Sequence, residues 1–304
     1  MNPKRRQLDG VLLLDKPLIL SSNDALQKIK RLFQAHTAGH TGTLDPLASG
    51  LLPVCFGEAT KFSNALLDAD KSYRALVRLG QTSTTGDAEG VITSTHSALP
   101  DEVQIRAVLG DFVGAIQQIP PMHSALKYQG KPLYEYIRKG ESVPRASRTV
   151  TIHELELLRC DTDEIEIDVR CSKGTYIRTL AEDIGHALGC GAHLRGLRRT
   201  TIGAFGLDQA YSWEALEAMG MAQRDACLLP LDKLLQDLPA LHLDAAHAAR
   251  IAQGQRLALD ANVAEGKVRL YSAGHFIGVA ELAGRRLAPL RLLSSVEKCV
   301  PNTD

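Results

Sequence analysis

Apolar residues follow two rhythms along the chain, and the changes of rhythm outline the elements. Gly10-Val-Leu-Leu-Leu14 is a short continuous apolar run, which reads as a buried strand ended by Asp15-Lys16-Pro17. Ser21 or Ser22 then caps a helix with Asp24 in its first turn and Leu26, Ile29 and Phe33 at helical spacing. Ala38 to Gly50 is rich in Gly, Thr and Pro and poor in apolar residues, so one long ordered loop is expected. Leu51 to Phe56 reads as a strand and Ala59 to Leu67 as a helix. In Ser72 to Leu79, Tyr73, Ala75, Val77 and Leu79 share one face of a strand, with Arg74 and Arg78 on the other. A polar Thr/Gly-rich stretch runs from Gly80 to Gly90. Helices are expected near Glu102–Leu109 and Leu133–Arg138, with a break at Ile119-Pro120-Pro121.

The clearest strand pair is Thr149–Leu158 with Glu164–Cys171. In the second strand, Ile165, Ile167, Val169 and Cys171 alternate with Glu164, Glu166, Asp168 and Arg170, which predicts one wet face. Ile177, Leu180, Ile184 and Leu188 predict a helix over Thr175–Leu188, and strand patterning resumes at His193–Ile202. Past Asp237-Leu-Pro239, short strand candidates at Lys267–Leu270, Phe276–Leu282 and Leu287–Leu293 predict a small β-rich appendage. The larger part lacks regular βα alternation, which disfavours a doubly wound sheet. It also lacks a GxGxxG or GxxxxGK[ST] run and any repeat of fixed period.

The 304 residues, 44% hydrophobic and 23% charged, suit a folded chain of one large domain plus a small one. Asp9 and Asp15 interrupt the start, so no signal peptide is expected. No apolar run approaches the roughly 20 residues needed to span a bilayer. The six cysteines (Cys55, Cys160, Cys171, Cys190, Cys227 and Cys299) are dispersed with no CxxC pair. Reduced structural thiols in a cytoplasmic protein are expected, and no zinc site. The net charge is zero, from 35 Lys plus Arg against 35 Asp plus Glu. Its distribution is uneven: Arg170 to Arg199 holds six basic residues against Glu182 and Asp183, and Lys4-Arg5-Arg6 is also basic. A neutral protein can therefore still present a basic groove, although such clusters are also ordinary solvated surface.

The candidate chemistry centres on His40-Thr-Gly-Thr-Leu-Asp-Pro-Leu-Ala-Ser-Gly50. Pro46 biases Asp45 toward an extended backbone, so its carboxylate is presented stiffly between apolar neighbours. An Asp before Pro also serves plain turns. Arg178 falls in the first turn of its helix, the unfavourable end of the helix dipole for a cation, and would suit an external anion or a buried carboxylate. Tyr73 could stack on a base and move a proton, or simply fill the core. His40 could be an acid, a base, a stacking group or an ordinary loop residue.

These segments closely resemble the TruB-type tRNA pseudouridine synthases. The resemblance is carried by DGVLLLDKP (from Asp9), AGHTGTLDPLASGLLP (from Ala38), ATKF (from Ala59), DKSYRALVRLG (from Asp70), IPPMHSALKYQGKPLYEYIR (from Ile119), CSKGTYIRTLAEDIG (from Cys171) and GCGAHLRGLRRTTIGAF (from Gly189), in family order. It implies an α+β pseudouridine synthase fold: a central, mainly antiparallel mixed sheet flanked by helices and loops over residues 1–238, and a small β-rich PUA-like RNA-binding domain over 239–304. It implies isomerisation of uridine 55 in the tRNA T-arm, with no cofactor, no metal, no membrane and no obligate protein partner, by a monomer. Asp45 would be the catalytic aspartate, Arg178 its arginine partner and Tyr73 the tyrosine against the base. Leu197 would line the base pocket and His40 would fill the space the flipped nucleotide leaves. Lys16, Arg195, Arg198 and Arg199 would bind the RNA. The sequence departs from the family after Lys16-Pro17, where Leu18-Ile19-Leu20 replaces a turn that often carries glycine at its second position. Two alternatives stay open: a non-catalytic RNA-binding or RNA-folding module, which needs none of the Asp45–Tyr73–Arg178 set, and an N-glycoside hydrolase, which would release free uracil.

Overall fold

A computed structural model describes residues 5–124, 126–137, 140–260 and 262–294. Lys4, Arg138 and Cys299 lie outside the described residues. The main sheet has ten strands. In chain order its first part comprises β1 (Gly10–Lys16), helix α1 (Ser22–Leu32), β2 (Ala38–His40), β3 (Ala48–Phe56) and β4 (Lys71–Leu79). Helix α2 (Glu102–Asp111), β5 (Gly114–Gln118), β6 (Arg148–Cys160), β7 (Glu164–Cys171), helix α3 (Ile177–Ala187), β8 (Ala192–Ile202), β9 (Phe205–Gly206) and β10 (Tyr211–Ser212) complete it. The spatial order is β10-β1-β3-β8-β4-β7-β6-β5, with β2 beside β3 and β9 beside β8. All pairings are antiparallel except β1–β10 and β3–β8. The fold is thus the α+β, mainly antiparallel mixed arrangement expected.

The parallel β3–β8 seam positions the site. Leu197, Arg198 and Arg199 run beside Ala48, Ser49 and Gly50, while on the other side of β8 Arg199 faces Tyr73 and Leu197 faces Ala75. Gly50 has φ +101°, and a Cβ there would lie 2.3 Å from the Arg199 carbonyl oxygen, so only glycine allows the seam to close. Helix α1 covers one face of β1 and β3 through Leu26, Ile29 and Phe33. Helices α2 and α3 cover the β4–β7–β6 part through Ile105, Leu109, Ile177, Leu180 and Ile184.

A five-stranded sheet follows, built from β11 (Ala240–Leu243), β12 (Leu257–Ala258), β13 (Gly266–Ser272), β14 (His275–Ala283) and β15 (Arg286–Leu292), with helix α4 (Ala245–Ala252). Sequence patterning had indicated only β13, β14 and β15, because β11, β12 and α4 are short and their stabilisation comes from packing on the other three.

Other elements also differ from expectation. The stretch 38–50 is not one loop: its ends pair as β2 and the start of β3, because backbone pairing needs no apolar side chain. The helix expected over 59–67 is a 3-10 turn, Gly57–Phe62, followed by the short helix Asn64–Leu67. Helix α3 starts at Ile177, since Gln118 holds Tyr176 extended by hydrogen bonding both its N–H (3.0 Å) and its carbonyl (3.2 Å). Glu164 does not lie on a wet face; it is buried and paired with Arg159 and Arg195. The five described cysteines are free thiols.

Candidate active site

Asp45 sits on a loop fastened at several points. The buried Ser22 hydroxyl accepts from the Leu44 N–H (2.7 Å) and donates to the Leu44 carbonyl (2.9 Å). The Ala48 N–H bonds the Asp45 carbonyl (3.0 Å), and the Ile19 N–H bonds the Pro46 carbonyl (2.8 Å). These ties, together with the Pro46 ring, fix the Asp45 backbone and leave its side chain facing the cleft, 47% exposed.

Arg178 reaches it from α3. Its guanidinium is buried and divided between two carboxylates: Nη2 lies 3.1 Å from Asp45 Oδ2 and Nη1 lies 3.2 Å from Asp87 Oδ2. Nη2 also donates to the His123 carbonyl (2.6 Å) and Nη1 to the Thr85 carbonyl (3.3 Å). The pair is therefore not a dedicated two-toothed clamp on Asp45; one tooth holds Asp87. Asp87 is itself buried, and its other oxygen accepts from the Thr85 hydroxyl (2.6 Å) and the Glu89 N–H (3.0 Å). Sequence reasoning passed over Asp87 as part of the polar stretch 80–90. Nothing in the local sequence sets it apart from Glu89, two residues on; Gly86 before it has φ +75°.

Burial raises the Asp45 pKa. Arg178 opposes the shift, Asp87 adds to it, and Lys16 and His123 oppose it further. The carboxylate is thus more basic than an ordinary Asp while still being oriented by a guanidinium.

Asp45 stands where two cavities meet. One, of about 180 Å³, is lined by Asp45, Tyr73, Arg178 and Leu197, with Ser124 and Tyr176 also on its walls. It is smaller than the roughly 300–1,000 Å³ of drug-sized sites and suits a fragment such as one nucleobase. The other, of about 610 Å³, shares Leu44, Asp45 and Ser124 and is flanked by His40 and by Ser21–Asn23. Tyr73 is buried; burial pushes its phenol up, and the neighbouring Arg199 guanidinium opposes that. His40 is pushed down by burial and by the Arg199 charge. Its buried Nδ1 has no hydrogen-bond partner among the described residues.

The structure brings Asp45, Tyr73, Arg178, Leu197 and His40 together, but it separates the expected RNA-binding residues into two kinds. Lys16 and Arg199 are buried beneath the cleft's surface and bonded to backbone carbonyls. Lys16 is fully buried, donates to the Pro17 (2.9 Å) and Leu20 (2.6 Å) carbonyls, and is pushed down to about 8 by desolvation. Arg199 is 1% exposed and donates to the Leu51 (2.8 Å) and Gly42 (3.1 Å) carbonyls. Both support the site from beneath. Arg195 and Arg198 are half-exposed but engaged, with Glu164 and with Asp15 (2.6 Å) respectively.

At the rim, Ile19 has φ +74° and its side chain is 82% exposed. A left-handed backbone costs a non-glycine residue roughly 1–2 kcal/mol. It stands out further on a β-branched one. Among the described residues no helix is long and apolar enough to cross a membrane.

Comparison with known proteins places this geometry. Residues 30–177 match the model of the TruB family pseudouridylate synthase N-terminal domain, 178–236 that of the tRNA pseudouridylate synthase B C-terminal domain, and 239–293 that of the pseudouridine synthase II TruB C-terminal domain. A protein of Burkholderia mallei named tRNA pseudouridine synthase B is 57% identical over 95% of this chain and 98% of its own length. A Methylobacillus flagellatus protein of the same name is 56% identical over 95% and 96%. Among solved structures, a chain of a Cbf5-Nop10-Gar1 complex superposes with TM-score 0.72 at 27% identity, covering 94% of this chain and 84% of that one.

Proposed function

The chain belongs to the TruB family of pseudouridylate synthases and isomerises uridine to pseudouridine in tRNA; we propose that its target is uridine 55 of the T-arm and that Asp45 acts on the ribose of that nucleotide. One observation carries the assignment of residues: a base-sized cavity with Asp45, Tyr73, Arg178 and Leu197 on its walls.

The reaction breaks the N1–C1′ bond, turns the uracil and forms a C5–C1′ bond. N1 gains a proton and C5 loses one, so the atoms balance without a redox or group-transfer partner. The target must first leave its stack, at a cost of a few kcal/mol that contacts in the pocket offset. Tyr73 and Leu197 hold the extruded base, and the larger cavity beside His40 faces the side it vacated. Asp45 then either attacks C1′ or helps remove the 2′ proton to give a glycal. The raised basicity of its carboxylate serves both routes. Arg178 keeps the carboxylate oriented, and Asp87 keeps Arg178 in place. Tyr73 lies close enough to the base space to handle the C5 proton. The apolar walls, Leu44 and Leu197, exclude the water that would turn isomerisation into hydrolysis.

In this reading the chain works as a monomer in the cytoplasm. Residues 1–238 carry the chemistry, and 239–304 extend the RNA contact toward the acceptor stem. The test is tRNA transcript with uridine or cytidine at position 55, followed by chemical labelling of pseudouridine. Label at 55 in the first transcript and none in the second is expected. Free uracil in solution would instead favour a hydrolase, and label elsewhere would move the target.

A further inference from the structure

We propose that the turn Pro17–Leu20 is an RNA contact, an apolar wedge carried on strained backbone that packs against the base and ribose surfaces opened when the target uridine leaves its stack. The proposal rests on the reading of the cleft as a tRNA uridine site.

Ile19 is 82% exposed and Leu18 54% exposed, so neither side chain is repaid by packing within the chain. Yet Ile19 is held at φ +74°, where a β-branched residue is an outlier. The surroundings impose that conformation. The Ile19 N–H donates to the Pro46 carbonyl (2.8 Å), and from below the buried Lys16 ammonium draws in the Pro17 (2.9 Å) and Leu20 (2.6 Å) carbonyls. Glycine would meet the same three bonds without strain. A side chain that strains the free protein and covers nothing in it has its use in a complex.

Position identifies the occupant. The turn is hydrogen-bonded to Pro46, next to Asp45, and runs straight into Ser21–Asn23, which flank the larger cavity together with His40. Leu18 and Ile19 line neither cavity themselves; they stand at the edge of the larger one. A protein partner there would crowd the entrance to Asp45, whereas a tRNA whose uridine reaches Asp45 passes this edge. Isoleucine and leucine are among the residues that fill unstacked steps in nucleic acids. Such a contact carries no charge, so it should add affinity without adding to the salt dependence of binding.

The experiment compares full-length wild type, Ile19→Gly and Ile19→Ala on full-length tRNA. Three readouts are taken: filter-binding Kd over a range of salt, single-turnover rate at saturating enzyme, and a thermal melt. Losing the apolar contact should raise Kd roughly 5–10-fold in both variants, with the slope of log Kd against log salt unchanged. The single-turnover rate should change much less than Kd. The melting temperature should rise for Ile19→Gly, which sheds the strain, and not for Ile19→Ala, which keeps the Cβ. Unchanged Kd in both folded variants overturns the wedge, as does a changed salt slope. A wild-type protein that binds tRNA but forms no pseudouridine would instead sink the functional reading, since Kd is measured independently of turnover.

Discussion

The two sheets of this chain bury different things. Around the centre of the ten-stranded sheet, Lys16, Lys71, Asp87, Arg178 and Arg199 are all buried. The five-stranded sheet packs Leu243, Ile251, Val268, Leu270, Ile277 and Leu287 into an apolar core, and its one buried polar side chain among the described residues is Ser272. Taking a charge out of water costs several kcal/mol unless it is paired and hydrogen-bonded. The small sheet avoids that cost. The large one accepts it and meets it locally: Lys71 donates to the Leu66, Leu67 and Ala69 carbonyls, Arg199 to two more, and Arg178 to two carboxylates and two carbonyls. Buried charge thus gathers in the large sheet, around the cleft, and among the described residues the small sheet's core holds none.

The sharpest way to break this contrast is Asp45→Asn, which keeps the shape and removes the charge. Turnover should fall by about 10³-fold or more, the scale of a lost acid–base or nucleophilic group, while tRNA affinity stays near that of wild type. A folded, tRNA-binding variant retaining a tenth of wild-type turnover would return Asp45 to the role of a turn residue. Arg178→Lys comes next. A single ammonium cannot span Asp45 and Asp87 at once, so the carboxylate loses its fixed direction and turnover should fall on the order of 10²-fold with charge conserved. Full activity would show that the shared fork is dispensable.

How much of this was legible in the sequence follows the same division. Strands with strict alternation, such as Tyr73 to Leu79, and helices with apolar stripes, such as α1, were readable because one face is apolar and the other wet. So was Asp45, because its loop is a long specific motif. Asp87 was not, since nothing local separates a buried acid in a Gly/Thr turn from a solvated one; only the arrival of Arg178 from 91 positions later makes the difference. The burial of Lys16 and Arg199 was hidden for the same reason: neither the family segment around Lys16 nor the basic run around Arg199 reveals the carbonyls that surround each side chain. Arg195 and Arg198 retain exposed side chains beside their ion pairs and stay candidates for RNA contact.

The small sheet invites a change of the opposite kind. Deleting it would expose Phe62, Leu66, Leu234 and Leu235, which pack with Val279, Leu293 and Phe276, so truncation would damage the larger part as well. A point substitution inside its own core is cleaner. Leu270 is fully buried there, and Leu270→Ala should cost about 2–5 kcal/mol of stability. Because that core contains no cleft residue among the described residues, single-turnover pseudouridine formation at saturating enzyme should change less than about twofold at a temperature where the variant is folded, with any loss appearing in tRNA affinity. A collapsed chemical rate with normal affinity would join the two regions that the structure separates.

The smallest expected effect tests whether Asp45 also serves the fold. Its pKa is raised by burial, more than Arg178 and Lys16 lower it. A carboxylate with a folded pKa above its unfolded value of about 3.9 binds more protons in the folded state, so its contribution to stability is fully present below that value and is lost as pH rises through the folded pKa. At neutral pH the ionised Asp45 is therefore a slight burden on the fold, and Asn removes it. The effect is small because the side chain is 47% exposed and solvent screens it, and because Arg178 keeps Asp87 when Asp45 is gone. Asp45→Asn should consequently melt within about 2 °C of wild type at pH 7, level or higher. The difference should vanish as pH falls through the carboxylate range, where the wild-type side chain is protonated and resembles the amide. The opposite sign has a clear meaning. If Asp45 anchored the fold through Arg178, the variant would melt well below wild type at pH 7, and acidification would close the gap from beneath. That result would place the aspartate among the structural charges of the large sheet, and the loss of turnover in the variant would then have to be reassessed as a consequence of lost structure.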